Sequence, residues 1–281
     1  MLACCIHSCR RLGRHQSGAA AMRMVLVGMV LVGMLLVALP CVAFAQPPAA
    51  PDDKKPADWF EVPADTAAMA PRFKTETMGM LRDGTVTNPA VFDAYWKAFF
   101  AQLTHWSKRE SLSEMRLKNF KDVLRNKNND AQKHLVNDLA LPTLKKIVQN
   151  RKFSPLVRYN ALLMLGDLND TEPNARGLGA KALPAALPVL AEFLDVKKYP
   201  VGDTNDALRV AALVGIQGHV DRGGLAEDQV RLIRPKLEAL AKQQKPPQGR
   251  DPEVHGFMQA RAQSVFSALE RGAAGRGAAV R

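Results

Sequence analysis

Between Ser154 and Asp170, apolar and small residues fall at Val157, Ala161, Met164, Leu165 and Leu168, the i, i+4, i+7, i+8, i+11 spacing of one helix face. Shifted by 51, the same slots hold Leu208, Ala212, Gly215, Ile216 and His219, and Arg158 falls on Arg209. A further shift of 50 gives Met258, Ala262, Val265, Phe266 and Leu269, with Gln259 in the arginine slot. A repeat of this period predicts stacked helix pairs, because no single pair buries its apolar stripe alone. Partner stripes lie between them at Leu183, Leu187, Leu190 and Leu194, at Val230, Ile233, Leu237 and Leu240, and more briefly at Leu141, Leu144 and Val148. Each partner carries a proline near its start, Pro142, Pro184 or Pro235, which begins the helix or kinks it.

Helix starts are marked by capping residues. Asn88-Pro89, Ser154-Pro155 and Asp251-Pro252 each place a capping side chain before a proline, and Ser111 with Glu114 has the form of a capping box. From Asn88 to Trp106 the broad face of Phe92, Tyr95, Trp96, Phe99, Phe100 and Leu103 predicts a helix closing the N-terminal end of the stack. Residues 46–88, with six prolines and no sustained apolar period, read as a linker or extended arm. Trp59 and Phe60 within it are expected to dock on the folded domain, which the pattern places at 89–270. The low-complexity basic stretch 271–281 is expected to be a flexible tail.

Residues 1–45 differ from everything that follows. Four arginines and no acid precede an apolar run from Met24 to Ala45, which ends in Ala43-Phe44-Ala45 after Pro40. This predicts a secretory signal, with Met22 as a possible start of translation and an uncleaved membrane anchor as the alternative. Cys41 follows Pro40 where a lipoprotein site would carry a small residue. All four cysteines lie in this segment, so an exported chain would rely on its core alone. Removing Arg10, Arg11, Arg14 and Arg23 takes the balance from 39 basic against 27 acidic residues to 35 against 27, or from +12 to +8. In an exported chain that surplus points to an anionic envelope component or to plain solubility, and not to nucleic acid.

The run Val157-Arg158-Tyr159-Asn160-Ala161-Leu162-Leu163-Met164-Leu165-Gly166-Asp167-Leu168 with Asp170, and Leu208-Arg209-Val210-Ala211-Ala212-Leu213-Val214-Gly215-Ile216 with Asp221, resemble HEAT repeats in the broad sense that includes armadillo-like solenoids. The resemblance covers residues 111–270 and departs from the family in long loops at 169–182 and 196–204 and in Gln259. It implies an all-α fold, a right-handed α-α superhelix of helix pairs, and says almost nothing about function. It also implies that Arg158 and Arg209 tie each repeat to an acidic residue in an adjacent turn.

Candidate chemistry is sparse. His105, His134, His219 and His255 form no zinc-type spacing, no cysteine remains to assist them, and no cofactor or metal is expected. His219 replaces Leu168 in the repeat and is expected at a helix end at the edge of the core. Insertions in stacked repeats gather where partners bind, so Arg176 and Lys181 of the first long loop and Lys197, Lys198 and Tyr199 of the second are the candidate partner-binding residues. The expected function is an exported scaffold for a protein or peptide partner. An enzyme of unknown type with its site beside the 169–182 loop is the rival.

Overall fold

The computed structural model describes residues 55–56, 59–61, 70–174, 177 and 179–279; the expected signal segment lies outside the described residues. Residues 56–281 form one compact unit with an extensive apolar core of its own. The chain is mostly helical. Its helices are α1 (Ala70–Asp83), α2 (Pro89–Gln102), α3 (112–124), α4 (130–149), α5 (Pro155–Asp167), α6 (Leu187–Glu192), α7 (Asp203–Arg222), α8 (Glu227–Ala241) and α9 (Pro252–Ala279). A short antiparallel hairpin, β1 (Asn169–Thr171) with β2 (Lys181–Ala182), interrupts them in the segment expected to be a loop.

The repeated stripes form the core. Every slot named above is buried except Gln259 and Phe266, which are half-buried. Helix α7 lies between α5 and α9, α5 also packs on α4, and α8 packs on α9. In the partner stripes Leu183, Leu187, Leu190, Leu194, Ile233, Leu237, Leu144 and Val148 are buried. At the N-terminal end Trp96 is fully buried, with Phe99 at 5.4 Å and Phe120 at 5.9 Å between ring centroids.

That end differs from expectation. Helix α1 occupies part of the stretch read as an arm and packs on α2, so α2 is covered instead of closing the stack. Its inward residues Thr77, Met80 and Leu81 are buried. Helix α9 likewise continues to Ala279, where a flexible tail was expected from 271. Trp59 and Phe60 dock on the domain. The Trp59 Nε1–H donates to the Thr104 carbonyl at 2.7 Å, and the Phe60 ring meets Phe153 edge-on at 5.1 Å.

Three capping readings hold in atomic detail: Asn88, Ser154 and Asp251 each accept from the backbone N–H three residues on. Ser111 does not cap. Its hydroxyl donates to the Lys108 carbonyl, because a 3-10 turn at Trp106–Lys108 runs directly into α3 and Glu114 turns to Lys118.

The acidic partner that the resemblance implies is present for Arg209, in Asp206, and not for Arg158; what the slots share is a backbone carbonyl. Arg158 Nε donates to the Val148 carbonyl at 2.9 Å, and Arg209 Nη2 to the Tyr199 carbonyl at 2.6 Å, each ten residues upstream. Gln259 in the third repeat donates to the carbonyls of Ala241 and Gln243, both at 3.2 Å. The slot therefore supplies donors to carbonyls left open where the preceding partner helix or its turn ends. Arg209 also pairs with Asp206 in the first turn of its own helix. Asp206 accepts as well from Arg250 Nε and Nη2, both at 3.1 Å, tying α7 to the segment before α9. All three charges are buried, and burial works against that of Arg209. Asp206→Ala should lower the unfolding free energy by about 3–5 kcal/mol, since two buried guanidinium groups lose their carboxylate; a loss below about 1 kcal/mol in urea unfolding would contradict this assignment.

Candidate functional site

Two helical glycines set the position of the site, Gly166 in the last turn of α5 and Gly215 in the interior of α7. A Cβ on Gly166 would stand 2.5 Å from the Gly215 Cα, and one on Gly215 would stand 3.1 Å from the Gly166 Cα and 3.0 Å from Leu190. Only hydrogen fits between the two backbones, so α5 and α7 touch there. Beside this contact lies a groove of about 240 Å³ lined by Gly166, Gly215, Gly218, Leu163 and Val214, with Arg116, Lys121, Asp167, Asp221 and Arg222 around it.

The charged rim depends on an irregular helix. Residues Met115–Lys121 form a π-helical segment within α3, with the Asp122 N–H bonded to the Leu117 carbonyl five residues back. In a regular α-helix, positions five apart point about 140° away from each other; the wider π turn brings them toward one side. Arg116 and Lys121 consequently grip the same carboxylate: Arg116 Nη1 donates to Asp167 Oδ2 at 2.9 Å and Lys121 Nζ to Oδ1 at 2.8 Å.

Across the groove, Arg222 Nη2 donates to the Gly166 carbonyl at 2.5 Å and Nη1 to Asn169 Oδ1 at 2.8 Å. Burial lowers the proton affinity of Arg222, and Asp167, Glu172 and Asp221 offset it. The Nε–H groups of Arg116 and Arg222 are both buried without a partner among the described residues. Behind the rim, burial pushes the Glu172 carboxyl above its usual range, against a hydrogen bond from Asn169 Nδ2 at 2.8 Å and the charges of Arg222 and Lys121. The Glu172 backbone is held on both sides by Asn128. This carboxyl fastens the hairpin base and does not line the groove.

The residues expected from sequence do not form one surface. Arg176 lies outside the described residues. Lys181 is exposed on β2, past the C-terminal end of α5. Lys197 and Lys198 are exposed on the turn before α7, which meets the turn before α5 where Arg151 Nη2 donates to the Lys198 carbonyl at 3.5 Å. The two sets stand at opposite ends of α5, roughly 20 Å apart at 1.5 Å per residue. Tyr199 is removed as a contact residue: it is 4% exposed, its ring stacks on Phe193 at 4.3 Å, and its hydroxyl donates to Glu192 at 2.9 Å. Burial first, and then the hydrogen bond and charge of Glu192, push its hydroxyl up to about 12.

The histidines also divide. His134 has two carboxylate neighbours, Asp138 at 2.8 Å and Asp93 at 2.9 Å. Burial alone would lower its pKa, but the hydrogen bonds and charges of the two aspartates outweigh this and raise it. No group of three or more His, Cys, Asp or Glu side chains among the described residues could hold a metal ion. His219 lies in the last turn of α7, at a helix end as expected, but inside the core and not at its edge. It is fully buried, neither ring nitrogen has a partner among the described residues, and burial with Arg222 nearby pushes it down to about 3.

Arg116, Lys121, Asp167 and Arg222 went unnoticed in the sequence. The available signal was Gly215 at the repeat position of Met164, since a glycine in a helix interior costs about 1 kcal/mol against alanine and implies a packing reason. Compared with family models, with curated proteins and with solved structures, the chain matches none.

His219 generates a signed prediction. Its ordinary pKa of 6.5 falls to about 3 on folding, so below 6.5 the unfolded chain takes up a proton that the folded one refuses. Stability is retained above 6.5 and declines between 6.5 and 3, by at most about 1.4 kcal/mol per pH unit. His219→Leu, which restores the residue at the Leu168 slot, should be at least as stable as wild type near neutrality. It should also lose about 2 kcal/mol less on acidification to about pH 5. Urea unfolding at the two pH values measures both, and equal acid losses in the two proteins would contradict the assignment.

Proposed function

We propose that this chain is an exported binding module, a right-handed superhelix of HEAT-like helix pairs whose α5–α7 groove takes a short acidic segment of a protein partner. The observation that carries this reading is the groove itself. Its glycine floor presents backbone without side chains, which allows another backbone to approach closely. Leu163 and Val214 offer an apolar seat, and the cationic side chains of Arg116, Lys121 and Arg222 stand around it. Such donors suit a carboxylate.

Size favours a segment over a small metabolite. At about 240 Å³ the groove is smaller than the roughly 300–1,000 Å³ of ligand pockets. Asp167 and Asp221 on the rim disfavour a polyphosphate or nucleic-acid backbone. The repeat in sequence, together with the shared donation from Arg158, Arg209 and Gln259 to upstream carbonyls, supports the superhelical reading. Export rests on the apolar run before Ala45.

Panning a displayed peptide library against residues 46–281 tests the reading. Enriched peptides should pair a carboxylate with a neighbouring apolar side chain. Val214→Arg, at a half-buried wall position where a long stem can reach solvent, should abolish binding while leaving the thermal melt in place. Enrichment no greater than for the folded Val214→Arg protein would overturn the groove as the binding site.

A further inference from the structure

A second surface lies at the other end of α5, away from the groove. The turn before α5 and the turn before α7 meet through the Arg151 to Lys198 carbonyl hydrogen bond, and Gln149 Nε2 donates to Glu192 Oε2 at 3.1 Å beside it. On this edge Lys145, Lys146, Arg151, Lys152, Lys197 and Lys198 are all exposed. From 145 to 152 there are four cations and no acid. The acids nearby are engaged: Glu192 pairs with Lys198 at 2.6 Å and accepts from Tyr199, and Asp195 accepts from the Lys197 backbone at 2.9 Å.

The same edge carries exposed apolar side chains. Among the described residues five large hydrophobic side chains are exposed, and three of them belong here: Phe60 at 42%, Val196 at 53% and Leu156 at 37%. Phe60 is set on Phe153 of the first turn, Val196 precedes Lys197, and Leu156 sits in the first turn of α5. Solubility would call for the lysines alone, whereas an acidic protein surface would leave the three apolar groups without a counterpart. A bilayer interface accepts both, cations among lipid phosphates and apolar tips among the first acyl carbons.

We propose that this edge is a peripheral membrane-binding surface for anionic phospholipid headgroups. The arm reaches the domain on this side. Phe60 stands 15 residues beyond Ala45, at most about 50 Å of chain, so an apolar run 24–45 held in a bilayer would keep the edge within reach of it. The contact itself needs no such tether. It is also separate from the groove, and neither proposal depends on the other.

Co-sedimentation of residues 46–281 with vesicles tests it. The protein should sediment with equimolar phosphatidylglycerol and phosphatidylcholine, remain in solution with phosphatidylcholine alone, and be released by salt. Lys145→Glu, Lys152→Glu and Lys197→Glu together should weaken binding at least about a hundredfold. Phe60→Ser and Val196→Ser should each weaken it about fivefold to tenfold. Val196→Ser stands independently of how the arm docks, and Val214→Arg should bind vesicles as wild type does. Absence of binding to the anionic vesicles, or binding indifferent to the charge reversals, would overturn the proposal. So would vesicle binding displaced by soluble polyglutamate and unaffected by Phe60→Ser and Val196→Ser, which would assign the edge to an acidic polymer.

Discussion

The backbone contact between Gly166 of α5 and Gly215 of α7 controls the geometry of everything around it. Ridges of ordinary side chains keep helix axes about 8–10 Å apart; here the backbones themselves touch. The groove lies beside this contact. Arg222, three residues past His219, can reach the Gly166 carbonyl only because the helices are this close, and through Asn169 it also fixes the hairpin that follows α5. Asp167, next to Gly166, is thereby aimed at the α3 side, where the π segment supplies two cations.

A second constraint runs along the stack. Each helix pair ends its first helix at a turn with open carbonyls, and a donor from the second helix, Arg158, Arg209 or Gln259, closes them. The arginines bring buried charge with them. Arg209 is offset by Asp206, which Arg250 shares, whereas Arg158 keeps one terminal nitrogen without a partner among the described residues. Gln259 performs the same service without charge, so the requirement is for a donor of the right reach.

The apolar pattern made much of the fold legible. The stripes at Val157 and Leu208 and the partner leucines from Leu183 to Leu194 are core because burial follows periodicity directly. Three caps were legible for a similar reason, as the capping oxygen bonds within its own turn. What escaped the reading depends on partners far along the chain. Helix α1 buries Thr77 alongside Met80 and Leu81, so its stripe looks too polar to call. The π turn that unites Arg116 and Lys121 leaves no mark in residue type. Tyr199 beside two lysines resembles a surface contact until Phe193 stacks against it. The candidate lysines were correctly placed outside, yet the hairpin and the two turns divide them between opposite ends of α5.

The most direct test of the account compares one substitution at two helical glycines. Gly256 of α9 is exposed with open space where a Cβ would go, whereas Gly166 faces the Gly215 backbone. Alanine at 256 should raise stability by about 0.4–1 kcal/mol through the unfolded state and helix propensity. Alanine at 166 should lower it by about 1–3 kcal/mol despite a smaller gain of the same kind in the last turn of α5, because two backbones must separate. Opposite signs in paired urea unfolding curves are the predicted result. A stabilising Gly166→Ala, matching Gly256→Ala, would contradict the close crossing and with it the groove.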